Sequence, residues 1–103
     1  MVKVILESPY AGDIERNIEY ARLCMKDSLM RGESPIVSHL LYTQVLNDKI
    51  PEERNMGIEA GLAWMDAADK HVFYIDYGFS EGMITANKKA EQMGISIEIR
   101  TIL

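Results

Sequence analysis

The sequence is poor in the residues that bind metals or cross-link chains. It has one cysteine, Cys24, and two histidines that lie far apart along the chain. A single cysteine cannot form an internal disulfide, and one cysteine with two distant histidines matches no zinc-site spacing. The sequence therefore predicts no disulfide framework, no metal site and no cofactor.

Long apolar runs and an excess of basic residues are also missing. No apolar stretch approaches the roughly 18 to 20 residues of a membrane span, and the N-terminal segment reaches Glu7 too early for the core of a signal peptide. There are 11 Lys and Arg against 16 Asp and Glu. This balance argues against binding to a nucleic-acid polymer, which requires a basic surface. We expect a cytoplasmic protein that binds a small ligand or a protein partner, and no membrane.

What the chain does contain is an alternation of strand-like and helix-like segments. Its 103 residues, 48% of them hydrophobic, suit a single domain spanning residues 1–103. Strands that alternate with helices form parallel sheets covered on both faces. We therefore expect an α/β protein with three layers, α/β/α, and a small parallel, flavodoxin- or Rossmann-like sheet of about four strands. The predicted strands are 2–6, 71–75 and 95–102, and the segment 36–42 is predicted to be a short strand that runs into a loop or a helical turn. The predicted helices are 14–31, 52–68 and 80–93.

The ends of these helices have typical sequence signals. Asp13 suits the N-cap of the first helix, and Gly32 follows its end. Pro51 suits the first turn of the second helix, where its missing N–H costs nothing. That helix also carries a seam of small residues, which predicts close approach to the sheet: Gly57, Ala60, Ala63, Ala67 and Ala68.

Two loops lie where ligands bind in such folds, beyond the carboxyl ends of the strands. They are 7–13, after the first strand, and 76–82, after the third. Each leads into a helix, whose free N–H groups and dipole favour an anionic or polar ligand. The same residues also suit ordinary turns and caps, so both interpretations stay open. The candidate ligand-binding residues are Ser8, Pro9, Tyr10, Gly12, Asp13, Gly78, Ser80, Glu81, Gly82 and Met83.

Three segments carry a resemblance to a known family. They are Ser8-Pro9-Tyr10, then Ala68-Asp69 before the strand 72–75, then the run from Gly78 to Met83 with Ala90 and Gly94 downstream. In this order they resemble the nucleoside 2-deoxyribosyltransferase superfamily, particularly its short phage and bacterial members, over nearly the whole chain. The resemblance implies a nucleoside or nucleotide pocket between the two loops. It also implies a homo-oligomer, at least a dimer, in which a neighbouring subunit helps to complete the site.

The chain departs from that family at the position of the nucleophile. The transferases carry a nucleophilic glutamate in the helix after the glycine loop, and the spacing of Gly82, Ala90 and Gly94 places Ala86 there. A methyl group cannot attack an anomeric carbon. The resemblance therefore implies the pocket without the family's double-displacement reaction.

Other side chains could act in its place. Three carboxylates are weak catalytic candidates: Glu7 at the end of the first strand, Glu59 in the second helix and Glu81 at the start of the third. Each also has an ordinary role, because such residues end strands, solvate helix faces or favour helix N-termini. His39 is a candidate general base or a core histidine. The aromatic residues that could stack on a base are Tyr10, Tyr42, Trp64, Tyr74 and Tyr77.

Two functions follow from these observations. The first is a nucleoside- or nucleotide-binding protein without the usual nucleophile, which the resemblance extends to a phage protein that sequesters a nucleotide-derived defence signal in the host cytoplasm. The second is an N-glycosidic-bond hydrolase or deoxyribosyltransferase that uses Glu7, Glu59 or Glu81. A protein-interaction module with a vestigial pocket is a third possibility.

Overall fold

Four short strands form one parallel sheet in the computed structural model, which describes residues 1–103. The strands are β1 (Val2–Glu7), β2 (Glu33–Ile36), β3 (Lys70–Tyr74) and β4 (Ser96–Arg100). Their order across the sheet is β2-β1-β3-β4, and every neighbouring pair is parallel. This is the order of the first four strands of a flavodoxin-like sheet.

Three α-helices cover the sheet: α1 (Ile14–Met30), α2 (Pro51–Leu62) and α3 (Glu81–Gln92). Short 3-10 turns lie at Ser38–Leu40, Tyr42–Gln44 and Met65–Ala67. On one face, Tyr20 and Cys24 of α1 pack against the aliphatic residues of β1 and β3. On the other face, Met83 and Ala86 of α3 pack against Phe73. The expected three-layer α/β/α fold is confirmed. None of the helices is both long and apolar enough to span a membrane.

The predicted helix starts are confirmed, since the signals at these positions are local. The Asp13 side chain accepts a hydrogen bond from the Arg16 N–H at 3.2 Å, and Pro51 occupies the first turn of α2. The Ser80 hydroxyl accepts a hydrogen bond from the Met83 N–H at 3.3 Å and caps α3. These caps fix where the chain leaves both loops at the carboxyl edge of the sheet.

The predicted position of the second strand was wrong. Residues 36–42 were predicted to be a short strand that runs into a loop or a helical turn. Only the helical turn is confirmed, because β2 ends at Ile36 and the chain then forms two 3-10 turns. The strand begins instead at Glu33, a charged residue that is buried by an ion pair, and it tolerates Pro35 because β2 is an edge strand. Polarity at Glu33 hid the true start of the strand.

The second helix is also shorter than predicted. It ends at Leu62 rather than Ala68, and none of its residues is buried. Its small residues do not form the expected seam against the sheet. Gly57 and Gly61 lie instead against the segment 38–46, where an added Cβ would come within 3.4 Å of the side chains of Leu46 and Ser38 respectively.

A buried ion pair connects the two edge strands beneath α1. The Arg100 guanidinium donates two hydrogen bonds to the Glu33 carboxylate, at 2.8 and 2.6 Å. It also donates to the Tyr74 hydroxyl at 2.9 Å and to the Glu98 carboxylate. The Arg100 and Glu33 side chains are only 4% and 7% exposed. Because the pair is bidentate and its remaining groups are hydrogen-bonded, the cost of burying both charges is offset.

The surrounding groups hold Glu33 in its charged form. Hydrogen bonds from Arg100, and then from Ser28 and Lys70, lower the pKa of Glu33 to about 2 although burial opposes them. Hydrogen bonds to Glu33, and then to Glu98 and Tyr74, raise the pKa of Arg100 although burial opposes them. A carboxyl whose folded pKa lies below its ordinary value stabilises the fold fully above that ordinary value, and this stability is lost as pH falls towards the folded pKa.

We expect Glu33→Gln to lower the free energy of unfolding by about 3 kcal/mol at pH 7, because it leaves Arg100 buried with only Glu98 as a charged partner. The variant should also lose stability less steeply than the native chain between pH 4.5 and about 2. Urea unfolding at a series of pH values measures both effects. Glu19→Gln removes an exposed ion pair with Arg22 and should change stability by under about 1 kcal/mol. Equal acid sensitivity of Glu33→Gln and the native chain would contradict the assignment.

Candidate functional site

The order of the strands reverses between β1 and β3, the two central strands of the sheet. The chain leaves β1 towards α1 on one face and leaves β3 towards α3 on the other, and the strands that follow, β2 and β4, lie at opposite edges. Such a switch point leaves a crevice between the two outgoing loops, which is where parallel α/β folds bind ligands. Both predicted loops, 7–13 and 76–82, meet at this edge.

Asp76 fixes the start of the second loop. Its carboxylate accepts hydrogen bonds from the backbone N–H groups of Ile102 and Leu103, at 3.0 and 2.8 Å, and from the Tyr20 hydroxyl. Burial acts to raise the pKa of Asp76, but these donors outweigh it and the pKa is lowered. The loop after β3 is therefore tied to both α1 and the C-terminal residues.

An open cleft of about 290 Å³ lies between α2 and α3 at this edge. A second cavity of about 180 Å³ shares part of its lining and extends it to Tyr10, Ala11, Asp48 and Ser80. Polar residues predominate in the walls, and both outgoing loops contribute to them. The residues lining the larger cavity are Glu7, Ser38, His39, Arg54, Asn55, Ile58, Gly61, Leu62, Glu81, Gly82, Thr85 and Ala86.

Glu7 is held in the cleft by a buried histidine. His71 lies on β3, and its Nε2 atom is 3.0 Å from the Glu7 Oε1 atom. The His71 side chain is 1% exposed and that of Glu7 is 13% exposed. No other side chain or backbone donor in the structure bonds to Glu7. One carboxylate oxygen is thus engaged from within the protein, and the other is left for a molecule in the cleft.

His39 and Tyr10 form an aromatic wall on another side. Their rings stack with centroids 5.1 Å apart and planes inclined by 22°. Burial lowers the pKa of His39, although the charges of Glu7 and Asp48 oppose the shift. His39 is therefore neutral at pH 7, and it presents the cleft with a polar ring but no positive charge.

Arg54 supplies the positive charge in the cleft. It lies on α2, is exposed, and lines both cavities. The other four arginines, Arg16, Arg22, Arg31 and Arg100, each donate a hydrogen bond to another side chain. Among the arginines, only the side chain of Arg54 has neither a hydrogen bond nor an ion pair within the chain, although carboxylates line the same cleft. Its guanidinium is therefore available to an anionic group.

The structure brings together some of the predicted ligand-binding residues and separates others. Tyr10, Ser80, Glu81 and Gly82 line the cleft or its extension. The remaining residues lie elsewhere: Ser8, Pro9 and Met83 are buried, Asp13 caps α1, and Gly12 and Gly78 form turns with positive φ. Ordinary structural roles account for Gly12, Asp13 and Gly78, whereas the buried Ser8 hydroxyl has no hydrogen-bond partner in the structure.

The three carboxylate candidates differ in whether they reach the cleft. Glu7 and Glu81 line the cleft, whereas Glu59 is exposed on α2 and is not part of its lining. Ala86 lies in the same wall and packs against Phe73 and Met83. The space in front of Ala86 is therefore bordered by two carboxylates that come from different elements.

His71 is the site residue that sequence reasoning missed. Within its strand it lies between Lys70 and the apolar residues that begin at Val72, which suggests nothing about a partner. Its contact with Glu7 depends on the pairing of β1 with β3, in which Ile5 lies beside His71 and Glu7 beside Phe73. The sequence did offer one signal for this contact. His71 is a polar residue in a central strand, and the neighbouring strand β1 ends in the carboxylate of Glu7. No group of three or more His, Cys, Asp or Glu is arranged to hold a metal ion.

A comparison with known families covers nearly the whole chain. Residues 2–100 match a family described as a domain of unknown function (DUF7768). The chain belongs to this family. No curated protein and no solved structure matches it. Because the family description carries no ligand or reaction, a functional assignment depends on the cleft itself.

Proposed function

We propose that the chain is a nucleoside- or nucleotide-binding protein whose ligand occupies the cleft between α2 and α3. The observation that carries the proposal is Arg54, the one arginine without an internal partner, in a polar cleft at the switch point of the sheet. An aromatic wall and a helix N-terminus border the same space. Together they supply a stacking surface and an anion-binding region within one site.

The aromatic wall suits the base. Tyr10 is partly exposed, and its ring is already stacked on His39, so little side-chain freedom is lost when a base packs against it. Stacking of a base on an aromatic ring contributes about 1–3 kcal/mol. Ile58 provides an apolar neighbour in both cavities.

Arg54 and the start of α3 suit a phosphate. Ser80 caps α3, and Gly82 in its first turn lines the cleft without a side chain to block the backbone. The charge balance limits how much negative charge a ligand can carry, because Glu7 and Glu81 line the same cleft as Arg54. A nucleoside or a nucleoside monophosphate therefore fits this site better than a ligand with two or three phosphates.

The resemblance to the deoxyribosyltransferases supports the same class of ligand. It adds the hypothesis that a phage-encoded member withdraws a nucleotide-derived defence signal from the host, which would place the protein in the cytoplasm with its ligand. Cyclic dinucleotides and ADP-ribose carry two phosphates. Tighter binding of these ligands than of monophosphates would favour the sequestration hypothesis and would contradict the charge argument.

The purified protein should be stabilised by at least one member of a panel of nucleosides, nucleoside monophosphates, cyclic dinucleotides and ADP-ribose. At ten times Kd the stabilisation is about 1.4 kcal/mol, which should raise Tm by about 5 °C or more. Arg54→Gln should weaken binding of a monophosphate about tenfold. Arg22→Gln removes an exposed arginine paired with Glu19 and should leave binding unchanged. A flat Tm across the panel would contradict the proposal.

A second candidate function is hydrolysis or exchange of an N-glycosidic bond. It is favoured by the Glu7 carboxylate, which lines the cleft beside Ala86 and has one oxygen without a protein partner. A carboxylate at this place can act as a nucleophile or activate water. Glu81 borders the same space and is the other carboxylate available for proton transfer.

This second function predicts release of free base from a nucleoside or nucleoside monophosphate, measured by chromatography. Glu7→Gln should abolish the release, whereas Glu59→Gln, on the exposed side of α2, should retain it. If the native protein binds a nucleotide but releases no base, the binding function stands alone.

We also propose that the protein is a homodimer in which a second copy covers α2. This helix forms one wall of the cleft and carries Arg54, yet none of its residues is buried. A helix of 12 residues is only marginally stable on its own, and the contacts of Gly57 and Gly61 with the segment 38–46 bury none of its residues fully. Met56 on α2 is 58% exposed, and Val45 shortly before the helix is 81% exposed. A second copy related by two-fold symmetry would bury these residues and hold the cleft wall in place.

Light scattering at micromolar concentration should give twice the chain mass of 11.7 kDa. Met56→Glu should shift the protein towards the monomer, because it places a charge in the proposed contact. Met30→Glu serves as the control, since Met30 is 79% exposed at the end of α1, on the other face of the sheet. A monomeric native protein would contradict the dimer.

A further inference from the structure

His71 is a fully buried polar side chain with one partner and one unpartnered atom. Its Nε2 atom contacts Glu7 at 3.0 Å, while its Nδ1 atom is buried and has no hydrogen-bond partner. The ring is held by stacking on Phe73, with centroids 4.9 Å apart, and Phe73 in turn packs against Phe79 at 5.7 Å. The ring is therefore fixed on both the polar and the apolar side.

The contact with Glu7 determines which ring nitrogen of His71 is the donor. A carboxylate can only accept a hydrogen bond, so the Nε2 atom carries the proton and donates it to Glu7. The Nδ1 atom is buried without a hydrogen-bond partner, so no second contact competes with Glu7 for the ring. His71 thus donates to Glu7 through its Nε2–H group.

This arrangement gives the cleft a fixed acceptor. The Oε1 atom of Glu7 is engaged by His71, and the Oε2 atom has no donor within the chain. The neighbouring imidazole of His39 is neutral at pH 7 and adds no positive charge there. A phosphate oxygen at this point would be repelled by Glu7, whereas a hydroxyl group would donate a hydrogen bond to it.

We propose that His71 is a positioning residue that orients Glu7 to accept a hydrogen bond from a sugar hydroxyl of the nucleotide, so that the cleft selects ligands with a ribose diol. The inference rests on the proposed function and deepens it by naming the part of the ligand that Glu7 recognises. It also sets the direction of binding. The sugar hydroxyls lie towards Glu7, and the phosphate lies towards Arg54.

The selection should be measurable with matched nucleotides. A site that is built to pair with a hydroxyl rejects an analogue that lacks it, because the acceptor is then covered without a partner. The probes are the four ribonucleoside 5′-monophosphates and the four 2′,3′-dideoxynucleoside 5′-monophosphates, compared by calorimetric Kd. We expect the best ribonucleotide to bind the native protein about tenfold or more tightly than its dideoxy counterpart.

Variants separate positioning from simple structural support. His71→Gln keeps an N–H donor of similar reach and should retain most of the discrimination, whereas His71→Leu should reduce the ratio of the two Kd values to about threefold or less. Glu7→Gln substitutes a partly exposed residue and should reduce the same ratio without disturbing the core. Because His71 acts through Glu7, adding His71→Leu to Glu7→Gln should change the ratio no further.

The outcomes distinguish this inference from the function on which it rests. If ribo- and dideoxynucleotides bind the native protein equally, the cleft binds nucleotides but Glu7 does not read the sugar, and the inference is wrong. The inference is also wrong if His71→Leu weakens both nucleotides by the same factor, because His71 then only supports the fold. If none of the eight nucleotides binds, the inference is wrong, and the thermal shifts with the nucleosides and the other members of the wider panel then decide the proposed function separately.

Discussion

The ion pair between Arg100 and Glu33 is the contact on which the rest of the fold depends. It connects β4 with β2, the two edges of a four-stranded sheet, beneath the only helix on that face. A single helix cannot cover four strands with apolar side chains alone. The remaining area is filled by charged groups whose hydrogen bonds are satisfied, including the Tyr74 hydroxyl, which donates to Asp27 on α1. Charge pairing therefore replaces a second helix and fixes both edges of the sheet.

The opposite face of the sheet is covered by two helices, α2 and α3, and the candidate site lies in the gap between them. Phe73 packs closely with Met83 and Ala86 of α3, whereas α2 contributes no buried residue and stands apart from α3. The gap between the two helices exposes the end of β1, so that a strand-terminal carboxylate meets solvent above a buried histidine. The cleft is thus a consequence of loose packing between α2 and α3 on one face of the sheet. The buried ion pair on the other face holds the strands together without contacts from α2.

Local signals made much of this predictable from sequence. Caps such as Asp13 and Ser80 act on their own helices, so the loops at the carboxyl edge were placed correctly. The features that were missed depend on distant partners. Glu33 starts a strand because Arg100, 67 residues away, neutralises it, and His71 meets Glu7 because β1 pairs with β3 in one register. Neither contact leaves a periodic pattern in the sequence. Sequence reasoning therefore predicted the loops and helix starts around the candidate site but not the side-chain pairs within it.

The acidic composition of the chain explains why the proposed recognition is divided between two points. Of five arginines, four are engaged within the chain, and Arg54 remains as the unpaired guanidinium in a cleft that also contains Glu7 and Glu81. A single cation against two carboxylates cannot attract a highly charged ligand. It can orient one, because the negative end is drawn to Arg54 while hydroxyl groups are drawn to Glu7. Affinity in such a site comes mainly from stacking and hydrogen bonds, and the charges determine the direction in which the ligand enters.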